Sequence, residues 1–185
     1  MKTEHQMPEF MRNHYTLKAM EILQKKKMTL FFKRLFDICL SLILLVILSP
    51  IFLVLSICIN LEDGGPIFYR QQRITTFGRV FKIFKFRTMV MNADKMGPLV
   101  TQDNDSRITK IGRKIRSFRL DEVPQLINVL IGDMSFVGTR PEVQKYVDAY
   151  SEEMLVTLLL PAGITSKSSI EFRNEADKIS KWMEK

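Results

Sequence analysis

Apolar residues run without a single charge across positions 38–59, and the rest of the chain is organised around that run. A helix needs about 20 apolar residues to cross a hydrocarbon core of ~30 Å, so the run reaches the spanning threshold. Ser49-Pro50 sits at its centre. Proline lacks a backbone N–H and clashes with the carbonyl four residues earlier. The pattern therefore predicts a re-entrant membrane helix broken at Ser49-Pro50 into two arms of roughly three turns each, neither able to span alone. A Pro-kinked helix that crosses is the alternative, and hydropathy alone favours it. The flanks argue the other way. Lys25, Lys26, Lys27, Lys33 and Arg34 precede the run, and Arg70, Arg73, Arg79, Lys82, Lys85 and Arg87 follow it. Basic residues beside membrane segments collect on the cytoplasmic side, and only a hairpin keeps both groups there. A secretory leader fits poorly, because the run starts late and no small-residue cleavage site follows it.

The patterning divides the chain into a polar, Met-rich extension (1–28), the membrane hairpin (29–61) and a small cytoplasmic domain (62–185). In the extension Phe10, Leu17, Met20 and Leu23 recur at loosely helical spacing, which supports at best a surface helix near anionic lipid. Lys33-Arg34 can sit among headgroups, and Asp37 at the membrane edge is expected to pair with a nearby cation. Glu62-Asp63-Gly64-Gly65-Pro66 is a turn signal that ends the second arm. Alternation over 67–69 and 80–86 predicts a hairpin with basic residues on one face. Beyond it the pattern gives loop and short helix over 91–107, helices over 108–117 and 120–130, and a bent segment between Gly132 and Gly138. A further helix over 141–160 is ended by Pro161-Ala162-Gly163. The fold class is α+β, mainly helical.

Composition narrows the partners. The chain has 185 residues, enough for one domain plus an anchor, and a net charge of +8 favours an anionic partner. Lipid headgroups and nucleotide phosphates fit the membrane run, and nucleic acid fits it poorly. Cys39 and Cys58 lie inside the apolar run and no CxxC spacing occurs, which argues against a disulfide framework or a zinc site. His5 and His14 lie far from any acidic cluster and receive no metal or catalytic role. Chemistry concentrates between Arg107 and Arg140, where Arg113, Lys114, Arg116, Arg119, Asp121, Glu122, Gln125, Asn128 and Asp133 crowd together. Side chains at i and i+1 diverge by ~100° on a helix, so Asp121 and Glu122 address one atom only at a terminus or break. Pro124 suits a first helical turn, which puts both carboxylates near the positive end of a helix dipole. Simple helix capping explains the pair equally well on pattern, and the density of guanidinium groups tips it toward phosphate. Gln125, Asn128 and Asp133 could equally stabilise turns.

A set of motifs occurs in fixed order: Lys33-Arg34 with Phe36-Asp37, Ser49-Pro50, Gly65-Pro66-Ile67-Phe68, Gln72-Arg73, Phe81-Lys82-Ile83-Phe84-Lys85-Phe86-Arg87-Thr88-Met89, Arg107-Ile108-Thr109, Leu120-Asp121-Glu122-Val123-Pro124-Gln125-Leu126-Ile127-Asn128-Val129 and Gly132-Asp133-Met134-Ser135-Phe136-Val137-Gly138. Over residues 29–174 the chain resembles the bacterial sugar transferase family, the monotopic phosphoglycosyl transferases that start glycan assembly on a polyprenol carrier. The resemblance implies a two-step transfer at the cytoplasmic face of the bacterial inner membrane. A sugar 1-phosphate passes from a UDP-sugar to an aspartate with release of UMP, then to undecaprenyl phosphate. Such a step opens exopolysaccharide, capsule, O-antigen or glycoprotein glycan assembly. It implies Asp121 as nucleophile, Glu122 as its partner and both as holders of Mg2+. Arg116 and Arg140 become phosphate contacts, with Lys85 and Arg87 as weaker candidates for phosphate or phospholipid headgroups. Exposed apolar surface at a membrane edge is compatible with a homodimer, though no motif demands one.

The chain departs from the family pattern twice. Thr139 stands where a Gly-Pro-Arg-Pro stretch usually has proline, which predicts a looser loop around Arg140. After Arg173-Asn174-Glu175 family members continue for several dozen residues, so stopping at Lys185 reads as early. A noncatalytic membrane scaffold, or an inactive shortened homologue, is the competing reading.

Overall fold

A computed structural model of the protein describes residues 6–93, 96 and 105–166. The expected hairpin forms as β1 (Phe68–Thr75) paired antiparallel with β2 (Arg79–Phe86), in register from Phe68 opposite Phe86 to Thr75 opposite Arg79. Its connection is the 3-10 turn Thr76–Gly78, in which Phe77 and Gly78 take left-handed φ values of 60° and 71°. A side chain at Gly78 would run into the ring of Phe10, so glycine serves both the turn and the packing there.

The apolar run becomes part of α2 (Lys27–Asp63), which follows α1 (His14–Lys25). In place of the expected break at Ser49-Pro50, one helical element continues through Pro50. The physical reason is local. Pro50 cannot donate to Val46 O, and the hydroxyl of Ser49 donates to that carbonyl at 2.8 Å. Leu42, Ile43, Val46, Ile47, Leu53 and Val54 are all exposed, which leaves the middle of α2 an uncovered apolar surface. By length and composition the helix is long and apolar enough to cross a membrane.

Both ends of α2 are fastened to the domain that follows. Near its start, Arg34 Nη1 donates to Val129 O at 2.6 Å and Nη2 to Leu130 O at 2.9 Å. Asp37 is buried, pairs with Lys33 at 3.1 Å as the sequence suggests, and accepts from Ser135 Oγ at 2.8 Å. Near its end, Phe52, Leu55 and Ile59 pack with Phe68, Phe86 and Ile115. Glu62 Oε1 accepts the N–H of Lys110 at 2.8 Å, at the start of α3 (Lys110–Ser117).

Several expectations are corrected. The helix expected over 120–130 is a 3-10 turn, Leu120–Glu122, followed by α4 (Gln125–Ile131) with Pro124 at its N-cap. The segment bounded by Gly132 and Gly138 is a strand, β3 (Met134–Val137). It pairs in parallel with β4 (Ala162–Thr165), where the sequence pattern gave only a helix terminator. Gly138 and Gly163 approach so closely that a Cβ on either would strike the other's backbone. Residues 141–160 hold one helical turn, α5 (Gln144–Val147), and the 3-10 segment Met154–Leu159. A longer helix is blocked at its outset, because Glu142 O accepts Ile74 N–H from β1 at 2.9 Å. The N-terminal extension is also more than a surface helix. Met7, Met11 and Met20 are buried with Ile74, Phe77, Val147, Leu155, Leu158 and Leu159. A capping box starts α1, with Asn13 Oδ1 accepting from Thr16 N–H at 2.9 Å and Thr16 Oγ1 from Asn13 N–H at 3.1 Å. His5, Trp182 and most of 91–107 lie outside the described residues.

Asn128 joins α4 to the hairpin. Fully buried, its side chain accepts Phe84 N–H at 2.8 Å and donates to Lys82 O at 3.1 Å. Asn128→Ala leaves that donor and acceptor unpaired, which should cost about 3 kcal/mol and lower the unfolding midpoint by roughly 10 °C in a detergent thermal melt. An unchanged midpoint would remove Asn128 from this role.

Candidate active site

The turn between α3 and α4 presents Asp121 and Glu122. Arg119 enters it with a left-handed φ of 57°, and Val123-Pro124 leads out into α4. A tight 3-10 turn, rather than a helix, lets adjacent side chains serve one site, as the pairing requires. Glu122 Oε1 is held twice, by Lys85 Nζ of β2 at 2.7 Å and by Arg140 Nη2 at 3.2 Å. Lys85 is mostly buried, whereas the Arg140 side chain is 55% exposed. Arg116 in the last turn of α3 donates from Nε to Thr88 Oγ1 at 2.8 Å and lies within electrostatic reach of Asp121.

The two carboxylates are driven apart in acidity. Burial raises the Asp121 pKa above its ordinary value and the Glu122 charge adds to the rise, with Lys85 and Arg116 only partly offsetting it. Burial also acts to raise Glu122, but there the Lys85 and Arg140 cations and their hydrogen bonds outweigh it and hold the carboxyl below its ordinary value. Glu122 is thus fixed as an anion already engaged by cations. Asp121 has neither of those bonds among the described hydrogen bonds and is destabilised as an anion, a combination suited to a carboxylate that attacks.

Of the residues singled out from sequence, Asp121, Glu122, Lys85, Arg116 and Arg140 come together. Arg87 does not join them. It is buried at the far end of α2, where it pairs with Asp63 and donates to Ile59 O at 3.4 Å. Ser49 and Pro50 lie in the exposed middle of α2. Sequence reasoning placed Arg73 only in the basic flank and the Gln72-Arg73 motif and gave it no site role; its pKa is lowered, chiefly by burial, within reach of Glu142, Arg140 and Glu122. The signal was present in the strand alternation, since Tyr69, Gln71 and Arg73 share one face of β1 and Tyr69 stands opposite Lys85.

Asp121 and Glu122 thus stand among Lys85, Arg116 and Arg140, and guanidinium and ammonium groups are the side chains suited to phosphate oxygens. The chain matches the family described as bacterial sugar transferase over residues 28–185 and belongs to it; α1 lies before the match. It is 42% identical over 124 residues to the UDP-N-acetylgalactosamine-undecaprenyl-phosphate N-acetylgalactosaminephosphotransferase of Aeromonas hydrophila, covering 67% of this chain and 29% of that protein. It is 39% identical over 167 residues to the undecaprenyl-phosphate galactose phosphotransferase of Salmonella typhimurium, covering 82% of this chain and 35% of that protein. It is 36% identical over 158 residues to the exopolysaccharide production protein ExoY of Sinorhizobium fredii, covering 77% of this chain and 70% of that protein. The chain therefore spans about a third of the length of the first two relatives.

Because Lys85 lowers both carboxyls, Lys85→Met should raise the pKa of Glu122 and, by a smaller amount, that of Asp121. A pH titration of the side-chain carboxyl 13C resonances reads both shifts. A fall, or no change at Glu122, would contradict the assigned pairing.

Proposed function

We propose that the chain transfers a sugar 1-phosphate from a UDP-sugar to undecaprenyl phosphate through a covalent aspartyl intermediate, as a first membrane step of bacterial glycan assembly. An oxygen of Asp121 attacks the sugar-bearing phosphorus of the donor. The bond from that phosphorus to the bridging oxygen breaks, and UMP leaves with the electron pair. An oxygen of undecaprenyl phosphate then attacks the same phosphorus and expels the Asp121 carboxylate, leaving the sugar on a diphosphate-linked lipid. One difficult displacement becomes two easier ones.

Arg140 and Arg116 bind the diphosphate oxygens, and Lys85 holds Glu122 beside the nucleophile. Mg2+ is commonly held by one or two carboxylates together with substrate phosphates, a donor set that Asp121 and Glu122 fit once a diphosphate is bound. Bound there, the ion would neutralise charge on the diphosphate and on the departing UMP.

The topology supports the same chemistry. A crossing helix parts its two ends by the hydrocarbon thickness of ~30 Å. Here both ends of α2, at Arg34-Asp37 and at Ile59-Glu62, bind one domain through polar side chains and core residues. We therefore take α2 to enter and leave the bilayer on one face, the cytoplasmic one, as the basic residues on both flanks favour. That places Asp121 where a soluble nucleotide sugar meets a lipid-borne phosphate. Phospholipids are then the surroundings of the exposed middle of α2.

The observation that carries the reading is Asp121 beside a Glu122 pinned by Lys85 and Arg140, in a chain whose relatives are named as undecaprenyl-phosphate sugar phosphotransferases. Purified protein in detergent with Mg2+ and undecaprenyl phosphate should release UMP from at least one of UDP-glucose, UDP-galactose and UDP-N-acetylgalactosamine. Asp121→Ala should lower release by at least on the order of 1,000-fold. Full release from the variant would sink the proposal. The nucleophile must be ionised, and burial raises its pKa, so kcat/KM should fall on the acid side through a value above the ordinary ~3.9. An acid limb at or below ~3.9 would contradict the role of Asp121.

A further inference from the structure

The loop that carries Arg140 is held from behind. Gly138 N–H donates to Thr165 O at 3.0 Å, Gly163 N–H to Thr139 O at 2.8 Å and Ile74 N–H to Glu142 O at 2.9 Å. Those bonds grip the loop on either side of Arg140-Pro141. Between them, Arg73 Nη1 donates to Pro141 O at 3.3 Å. The guanidinium is itself fixed, because Nε and Nη2 both donate to Gln71 Oε1, at 3.2 and 2.7 Å. Such a fork needs arginine; a lysine ammonium on the same stem cannot hold two oxygens in one plane.

Arg73 takes part in no ion pair among the described residues, yet Glu142, Arg140 and Glu122 all lie within its electrostatic reach. The positive charges of Arg73 and Arg140 repel each other at that range. Arg140 makes one charged contact and is more than half exposed, so its own side chain does little to limit its freedom. Thr139, where proline would stiffen the backbone, leaves that restraint to hydrogen bonds.

We propose that Arg73 is a positioning residue for Arg140: by clamping the Pro141 carbonyl from β1 it aims the Arg140 guanidinium at the diphosphate of the nucleotide-sugar donor. This rests on the transferase reading. It accounts for a half-buried arginine whose three nitrogens are used on a neighbouring amide and on the backbone of the Arg140 loop, and on no carboxylate.

The test is a double-mutant cycle on UMP release, with Arg73→Lys and Arg73→Met each made alone and with Arg140→Met. Alone, both Arg73 variants should lose on the order of 10- to 100-fold in kcat/KM, mostly as a higher KM for the UDP-sugar. In the Arg140→Met background each should add less than about twofold, since the group Arg73 acts through is gone. Losses that multiply would overturn the proposal, and so would an Arg73→Lys protein with wild-type KM, because charge alone would then suffice. A second readout needs no turnover. The 15N Nε–Hε resonance of Arg140, assigned by its loss in Arg140→Met, should narrow to a solvent-averaged signal in both Arg73 variants. If it does not change, the clamp is wrong even where the enzyme is silent. Wild-type release that does not depend on Asp121 would count against the transferase reading and leave the resonance to decide Arg73.

Discussion

The amide of one side chain, Asn128, sets the distance on which the site depends. The edge of β2 that faces away from β1 offers an N–H at Phe84 and a carbonyl at Lys82, and Asn128 meets both, at 2.8 and 3.1 Å, as a neighbouring strand would. Unpaired edge groups buried without such a partner are costly, so the helix is committed to one height along the strand. Lys85 follows Phe84 directly, and the Asp121–Glu122 turn precedes α4 by a few residues. The 2.7 Å contact between Lys85 and Glu122 is therefore fixed by the backbone on each side and not left to two flexible side chains. The backbone of Asn128 adds a second tie, accepting Gly132 and Asp133 N–H groups as α4 ends.

The same pair of helices hangs between the two ends of α2. Arg34 supplies a cation to the carbonyls at the C-terminus of α4, which suits the negative end of that helix. Glu62 supplies a carboxylate to the first N–H groups of α3, which suits the positive end, with Thr109 Oγ1 capping Gly112 N–H at 2.9 Å beside it. Arg116 rides on α3 and Asp121 stands before α4, so both sides of the candidate site are referenced to one apolar helix. The buried polar groups at the ends of α2 are paired with few exceptions; Arg87 Nη1 has no hydrogen-bond partner among the described residues. A buried charge network of that kind is weak evidence for stability, and here its visible effect is to tie the ends of α2 to α3 and α4.

How far the sequence carried this picture depended on the range of the interactions. The apolar run, the period-2 alternation of the hairpin and the adjacent carboxylates are local patterns, and each appears where it was read. So does the expected pairing of Asp37 with a nearby cation, which is Lys33. Most of what failed was nonlocal, the local exceptions being the uninterrupted helix at Ser49-Pro50 and the 3-10 turn at Leu120–Glu122. A four-residue strand such as β3 leaves little periodicity, and its parallel partner β4 lies more than twenty residues on, made possible by the contact of Gly138 with Gly163. Residues 141–160 carry helix-compatible composition, but hydrogen bonds to β1 take the backbone that a helix would need. Scattered methionines in a polar extension gave no helical stripe strong enough to read as core, yet Met7, Met11 and Met20 fill one. From sequence Arg87 and Lys85 are equivalent candidates. Position two residues along the chain sends one to Asp63 and the other to Glu122.

Adjacent carboxylates invite the question of which one would react in the proposed transfer, and their environments differ in a way that favours Asp121. A carboxylate that already accepts from Lys85 and Arg140 has its charge stabilised, so it is a weak nucleophile and a good fixed anion. Its neighbour is pushed upward by burial and by that same fixed anion, so its charge is held at higher free energy. Exchanging the two roles would require moving Lys85, and Lys85 is set by the β2 register and by Asn128. On the proposed mechanism, the difference between Asp121 and Glu122 therefore traces to strand pairing and a buried amide, several residues away from either carboxyl group.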